Sequence, residues 1–353
     1  MTVQRPLLVT TDDLLLEEVL RLAAAAGVVL EVAHDVAAAL RGWSAAGLVL
    51  VGADLADALG GTRPSRREHV HVVARGPVPH ELFRAALAMG AENVAELPVS
   101  ETWLVETLTD AGDGGAARGV TIGVIGGSGG AGATVFASAL AVTLGSSWRT
   151  LLVDTDPLGA GIDRVLGMES LDGIRWDALN NTTGRLSARS LRDALPHRAG
   201  VSLLTWSDDR PTGLQAFAVR EALSAGQRGH DAIVLDLPRH PDKVIEEVLS
   251  RCDHVVLVCG VTVPAVTAAS RVSARLAGVS SAVHLVVRGS GGVDPAEIAR
   301  VLHLPLAAAM PDQRGLDEAV DLGAGPIRSR RGALARSARL VAGRVVRPAA
   351  LVA

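Results

Sequence analysis

The 353-residue chain holds a single lysine, Lys243, and its other 33 basic residues are arginine. It has no tyrosine, three phenylalanines and two cysteines, Cys252 and Cys259. Each scarcity excludes something. Two cysteines cannot staple a chain of this length, so a disulfide scaffold is excluded and a reducing, cytoplasmic setting is expected. They are expected to pack as small hydrophobes. With aromatics at 2%, there is no row of rings on which bases could stack, and nucleic acid is the less favoured partner. No continuous apolar run reaches the roughly 20 residues that span a bilayer. The opening MTVQRPLLVTTDD lacks the basic, apolar, small-residue order of a signal peptide. Chemistry that needs a lysine must use Lys243, expected on the surface near the start of a helix, or do without.

What is present is a composition for a core. At 48% hydrophobic and 20% charged the chain is globular, and its length suits two or three domains. Charge is unevenly placed. Residues 326–353 hold seven arginines and no acid, which leaves 27 basic against 38 acidic groups, net −11, in residues 1–325. An acidic body ending in a +7 tail marks a contact surface for a partner, an anionic membrane or a nucleic acid.

Residues 1–110 read as a first α/β domain. Apolar runs at Leu7–Val9, Val28–Val32, Leu48–Val51, Val70–Val73 and Asn93–Leu97 alternate with helical patterns. That rhythm predicts a parallel sheet. The order resembles a response-regulator receiver, a flavodoxin-like domain. Asp12 and Asp13 match that family's acidic pair at the end of the first strand. Gly52 stands where the phosphoacceptor aspartate directly follows the third strand, with Asp54 two residues on, and Leu97 stands where the family has lysine before Pro98. The resemblance therefore implies a pseudo-receiver that docks or dimerises. A plain α/β domain with incidental acids is the alternative. His69 and His71 are expected on one face of a strand, with no third ligand for a metal. Residues 111–118 (AGDGGAAR) read as a linker.

Residues 119–325 read as a second α/β unit, an open, doubly wound parallel sheet. Its first strand, Val120–Ile125, runs into the turn GGSGGAGAT and then a helix. A P-loop reads G-x-x-x-x-G-K-[ST] between strand and helix. Gly127, Ser128, Gly129, Gly130, Ala131, Gly132, Ala133 and Thr134 fit it at both glycines and at the threonine, with Ala133 in the lysine position. Glycines let successive N–H groups turn toward one anion, and the helix N-terminus adds its dipole. Thr134 can offer a hydroxyl to Mg²⁺. The following strand ends in Asp154-Thr155-Asp156-Pro157, and Asp236 ends a later one (DAIVLDLP). Asp163, Asp208 and Asp209 read as ordinary loop acids.

Loop, DTDP and VLDLP in that order resemble the MinD/ParA family of deviant-Walker ATPases, a P-loop NTPase-like fold. That family's loop is K-G-G-x-G-K-[ST], and residues 128–134 match it with both lysines replaced, by Ser128 and Ala133. The resemblance implies ATP or ADP with Mg²⁺ as ligand. It assigns Asp156 to positioning the attacking water, Asp154 to the metal side, Asp236 to the Walker B carboxylate and Arg288 to the place of an adenine-reading asparagine. It also implies a homodimer. A pseudo-receiver ahead of such a domain resembles the CpaE/TadZ group, which positions pilus machinery, and within it the actinobacterial homologues linked to septum placement.

Gly332–Val346 sets Leu334, Ala338, Val341 and Val345 at helical spacing, with Arg336 and Arg339 on another side. Such a helix either packs on the domain with its arginines in water, or lies on an anionic membrane. The leading expectation is a spatial regulator of division that dimerises and recruits division or secretion proteins. It would be cytoplasmic, or peripheral at the inner membrane face or septum. A true weak ATPase using arginine for lysine, and a nucleoid-binding factor acting through 326–353, are the alternatives.

Overall fold

A computed structural model describes residues 5–112, 118–180, 185–207, 213–239, 242–279 and 282–346. Asp208 and Asp209, and most of the expected linker, lie outside the described residues. The chain divides into two compact units, Met1–Ala117 and Arg118–Ala353.

The first unit runs β1 (Leu7–Val9), α1 (Asp13–Ala25), β2 (Glu31–Ala33), α2 (Val36–Gly42), β3 (Val49–Gly52), α3 (Ala53–Gly61), β4 (Val70–Arg75), α4 (His80–Met89), β5 (Asn93–Leu97) and α5 (Glu101–Gly112). Its five strands lie in the order β2-β1-β3-β4-β5, all parallel. Two apolar clusters, one per sheet face, are built from alternate strand residues, as burial on both faces requires. Three local expectations change. Val28 still closes on the helix, its N–H bonded to the Ala23 carbonyl, so the second strand starts only at Glu31. Asp54 lies in the first turn of α3, a helix whose glycine-ended sequence hid its period. His69 precedes β4 with φ of 61°, so it shares no strand face with His71, which is buried edge-on against Trp103.

The second unit runs β6 (Val120–Gly126), α6 (Ala133–Gly145), β7 (Thr150–Asp154), α7 (Ile162–Leu166), α8 (Trp176–Asn180), α9 (Ala188–Ala194), β8 (His197–Arg198), β9 (Val201–Leu204), α10 (Ala216–Gly229), β10 (Ala232–Leu237), α11 (Lys243–Ser250), β11 (His254–Gly260), α12 (Val263–Leu276), β12 (Val283–Arg288), α13 (Pro295–Leu302), β13 (Leu306–Met310), α14 (Leu316–Asp321) and α15 (Ala333–Val345). Its eight strands are ordered β13-β12-β11-β6-β10-β7-β9-β8, and only the β8–β9 pair is antiparallel. The alternation is clean. Ile122, Val124 and Val234 face one cluster with Phe136 and Leu140 of α6, and Ile125, Ile233 and Leu235 face the other. β6 lies between β11 and β10, so the glycine-rich turn leaves the sheet at its middle, beyond the strands' carboxyl ends.

The tail helix takes the first of its two expected forms. Leu334, Ala338, Val341 and Val345 of α15 are buried in the cluster with α6, while Arg336 and Arg339 face water. That apolar stripe is core and is not free to enter a bilayer. Among the described residues no helix is long and apolar enough to cross a membrane. Cys259 is buried and Cys252 half-buried, and burial pushes their thiols up to about 11 and about 12.

Two predictions follow from this packing. Val341→Asp puts a charge into the α6–α15 contact and should cost about 3 kcal/mol or more in urea unfolding of the chain. Unchanged stability would mean the stripe is not core. His230 is buried at the end of α10, where its Nδ1–H donates to the Gly226 carbonyl and its Nε2 accepts the Ser202 hydroxyl. Burial, chiefly, pushes its pKa down from 6.5 to about 4. The unfolded chain therefore takes a proton near pH 6.5 that the folded one refuses. The stability this histidine contributes is complete above that pH and is lost as pH falls toward 4. Asp154 and Asp236, raised to about 6 and about 7, titrate with the opposite sign. The comparison with His230→Gln isolates the histidine. The stability difference, wild type minus variant, should shrink by up to about 1.4 kcal/mol per pH unit below pH 6.5, and a constant difference would refute it.

Candidate functional site

The strand carboxyl edge of the second unit carries a cavity of about 660 Å³. Gly126, Ser128–Val135, Thr155–Leu158 and Asp236–Arg239 line it, together with Gly213, Leu214, Asp242 and Ile245. The two sequence features that looked separate, the glycine turn and the strand-end acids, face one space. Gly132 caps α6 with φ of 87°, and no side chain caps that helix, so its first-turn N–H groups are left for a ligand. The left-handed φ of Gly132 is what favours glycine there, and Nη1 of Arg288 lies 2.6 Å from where a β-carbon would stand. Gly127 lies off this cavity, donating its N–H to the Val258 carbonyl and packed against Ala269 of α12.

Asp236 of β10 is paired in register with Asp154 of β7, so two carboxylates stand side by side on one sheet face. Both are buried. Burial first, and for Asp236 the charge of Asp154 next, push their pKa values up, to about 7 for Asp236 and about 6 for Asp154. The Thr134 hydroxyl bonds Asp236 and opposes that rise. Asp154 is turned inward. Its oxygens accept the Asp156 N–H at 3.1 Å, the Thr205 hydroxyl at 3.0 Å and the Ile162 N–H at 3.3 Å. It does not line the cavity; it holds the turn that aims Asp156, which does. Thr155, a residue the sequence pattern did not single out, binds the Asp236 carbonyl through its hydroxyl at 2.6 Å and its N–H at 3.1 Å. Trp176 donates its indole N–H to the Asp154 carbonyl at 2.7 Å.

Among the described residues no three His, Cys, Asp or Glu side chains converge as a metal cage. The donor set nevertheless fits Mg²⁺, which takes one or two carboxylates and completes its shell with phosphate oxygens and water. Asp236 beside the Thr134 hydroxyl is such a partial set. Arg288 lies beside Gly132, paired with Asp312 at 3.4 Å, and is not on the cavity wall. Lys243 opens α11 exposed and does not line the cavity. The basic side chain on the wall is Arg239, two residues past β10, which reading by motif missed because it belongs to no P-loop position.

The first unit has a strand-edge site of its own, and it is closed. The Asp54 carboxylate accepts the Thr10 hydroxyl at 2.8 Å, the Thr11 N–H at 2.7 Å and the Thr11 hydroxyl at 2.8 Å. Partial burial opposes ionisation, but these bonds outweigh it and keep the carboxyl below its ordinary pKa. A β-carbon at Gly52, the phosphoacceptor position, would fall 2.2 Å from Asp54 Oδ1. Asp12 caps α1 by accepting the Leu14 and Leu15 N–H groups. Leu97, in the lysine position, is buried with Leu104 and Leu108.

Fold and site define a class: a receiver-like domain followed by a P-loop domain with the MinD/ParA ATPase fold. The second part aligns with the septum site-determining protein MinD of Pyrococcus horikoshii, complexed with Mg-ADP, at TM-score 0.56 and 19% identity, covering 65% of this chain and 97% of that one. It aligns with a ParA family ATPase of Chlorobium tepidum at TM-score 0.54 and 16% identity, covering 65% and 99%. The family model for the Rv3660c-like, CheY-like N-terminal domain matches residues 9–119. The chain is 38% identical to the uncharacterized protein Rv3660c of Mycobacterium tuberculosis (strain H37Rv) over 339 residues, 94% of this chain and 95% of that protein. It belongs to the Rv3660c-like family.

The closed site predicts that acetyl phosphate with Mg²⁺ leaves the chain unphosphorylated on a Phos-tag gel. Asp54→Ala should lower stability by about 1–2 kcal/mol through its lost hydrogen bonds. A phosphorylated species lost on Asp54→Ala would show a working receiver.

Proposed function

We propose that this protein is a MinD-like spatial regulator of cell division, acting at septum placement through dimerisation and recruitment. Its nucleotide site binds ATP or ADP with Mg²⁺ weakly and turns over slowly or not at all. The observation that carries this reading is a complete glycine cradle facing Asp156 and Asp236 in one cavity, with uncharged Ser128 and Ala133 at both lysine positions. A structural relative from Aquifex aeolicus is a MinC:MinD complex, which supports a division protein as partner. In this reading the N–H groups of Gly129–Thr134 hold the phosphates. Thr134 and Asp236 would hold Mg²⁺, which supplies charge to the β- and γ-phosphate oxygens when bound. Asp156 orients the attacking water, and Asp154 fixes the Asp156 turn. A missing cation at such a site costs on the order of 10²–10³ in rate.

The receiver-like unit, residues 1–110, serves as a docking or dimerising module, since its acceptor position is filled. Residues 111–118 link it to the P-loop unit, residues 119–325. The arginines of 326–353 offer the partner or an anionic membrane a charged face. The same receiver-like unit also supports a second reading, a CpaE/TadZ-like factor that positions Tad pilus or secretion machinery.

Purified full-length protein should release phosphate from ATP at no more than a few-fold over background, with or without Asp156→Ala. Robust hydrolysis abolished by Asp156→Ala would sink the weak-site reading in favour of a true ParA-type ATPase. A fluorescent fusion in its own cells should form septal foci and change cell length when overproduced. Polar foci with normal cell length would transfer the assignment to pilus positioning.

A further inference from the structure

We propose that Arg239 supplies the positive charge that the P-loop's own residues lack, and that it binds the β- and γ-phosphoryl oxygens of a nucleoside di- or triphosphate. The inference rests on the nucleotide reading above and deepens it.

Position comes first. Arg239 is the one basic side chain among the described lining residues of the P-loop cavity. Its backbone leaves β10 two residues after Leu237, past Pro238, from the buried strand that carries Asp236. Its Nη1 lies 3.9 Å from where a β-carbon on Gly129 would stand, so the guanidinium hangs over the first half of the glycine turn. Arginine's length lets charge reach the phosphate site from a neighbouring strand end when the loop cannot present it.

Availability comes second. Among the described residues Arg239 makes no hydrogen bond or ion pair, and it is exposed. Arg288, the other arginine against this loop, is engaged by Asp312 at 3.4 Å and stands off the wall. A guanidinium without a partner beside uncapped N–H groups is free to take an anion in two parallel hydrogen bonds.

Charge balance is third. The wall carries Asp156, Asp236 and Asp242 against Arg239 alone. A polyphosphate entering such a space meets net negative charge. Mg²⁺ held at Asp236 would offset part of it, and the guanidinium of Arg239 is the cation on the described wall that would offset more. Ala133 and Ser128 cannot provide that cation, and Lys243 is off the wall.

The test is titration calorimetry of the full chain with ADP and with inorganic pyrophosphate, each with Mg²⁺. Arg239→Ala should weaken both ligands by about 10- to 100-fold, the loss of one charged hydrogen-bonding group. Arg239→Lys, which keeps the charge but loses the paired hydrogen bonds, should fall between wild type and Arg239→Ala. Arg271→Ala, an arginine of the adjacent cavity under α12, should leave both affinities unchanged. Arg239 is exposed, so thermal midpoints should not move. If wild type binds ADP and Arg239→Ala binds it equally, or if Arg271→Ala weakens binding as much as Arg239→Ala does, the assignment falls and the nucleotide reading stands. If wild type binds neither ADP nor pyrophosphate, the nucleotide reading fails and takes this inference with it.

Discussion

Two buried carboxylates placed in register on neighbouring strands are the constraint around which the second unit's ligand edge is organised. Asp154 and Asp236 cannot both ionise cheaply in so dry a place, and the chain handles them differently. Asp154 is satisfied internally, by two backbone N–H groups and a threonine. Those bonds turn it from a ligand into a brace for the 154–162 turn. Asp236 has the Thr134 hydroxyl beside it and lines the cavity. Thr155 and Trp176 fasten the same corner from behind, through backbone carbonyls. The position of Asp156 in the cavity is therefore a consequence of how Asp154 is neutralised.

The lysine shortage of the chain has to be separated from the loss of lysine at the loop. A chain with 33 arginines and one lysine has replaced one cation by the other nearly everywhere. At positions 128 and 133 it has done something else and placed small neutral residues. A composition bias keeps the charge; these two substitutions discard it. An arginine at 133 would put a planar, branched head inside a tight turn. An arginine arriving from the end of β10 meets no such limit, because it stands outside the turn. Charge offered from a strand end and not from the loop is thus a geometric solution open to a chain with so little lysine.

Much of the fold was legible because parallel sheets buried on both faces write themselves as short apolar runs. The strand expected at Val120–Ile125 runs one residue further, to Gly126. The three helices and short strand between Asp156 and Val201 were not legible, since five- to seven-residue helices and a two-residue strand carry too little period to read. The site divides along the same line. Residues that belong to a contiguous motif, Gly126 to Thr134 and Asp154 to Asp156, could be named from spacing. What each one does could not. That Asp154 faces inward depends on Thr205, 51 residues away, and that Gly132 is wound to φ of 87° is a property of the folded turn. Arg239 was invisible because its relevance comes only from where β10 ends in three dimensions.

The two units show the same pattern at their strand edges. In the first, the phosphoacceptor position is Gly52, the space beside it is filled by Asp54, and the lysine position has joined the apolar core as Leu97. In the second, both loop lysines are small residues while the glycines remain. In each case the sheet, the strand-edge turn and its backbone donors persist, and the side chains that would drive turnover are absent. What each edge keeps is geometry: a glycine at φ of 87° opening α6 in one, and a carboxylate held by three hydrogen bonds in the other. Backbone donors held in a fixed turn are what a contact surface needs, and the proposed role through dimerisation and recruitment draws on that geometry and not on a reaction rate.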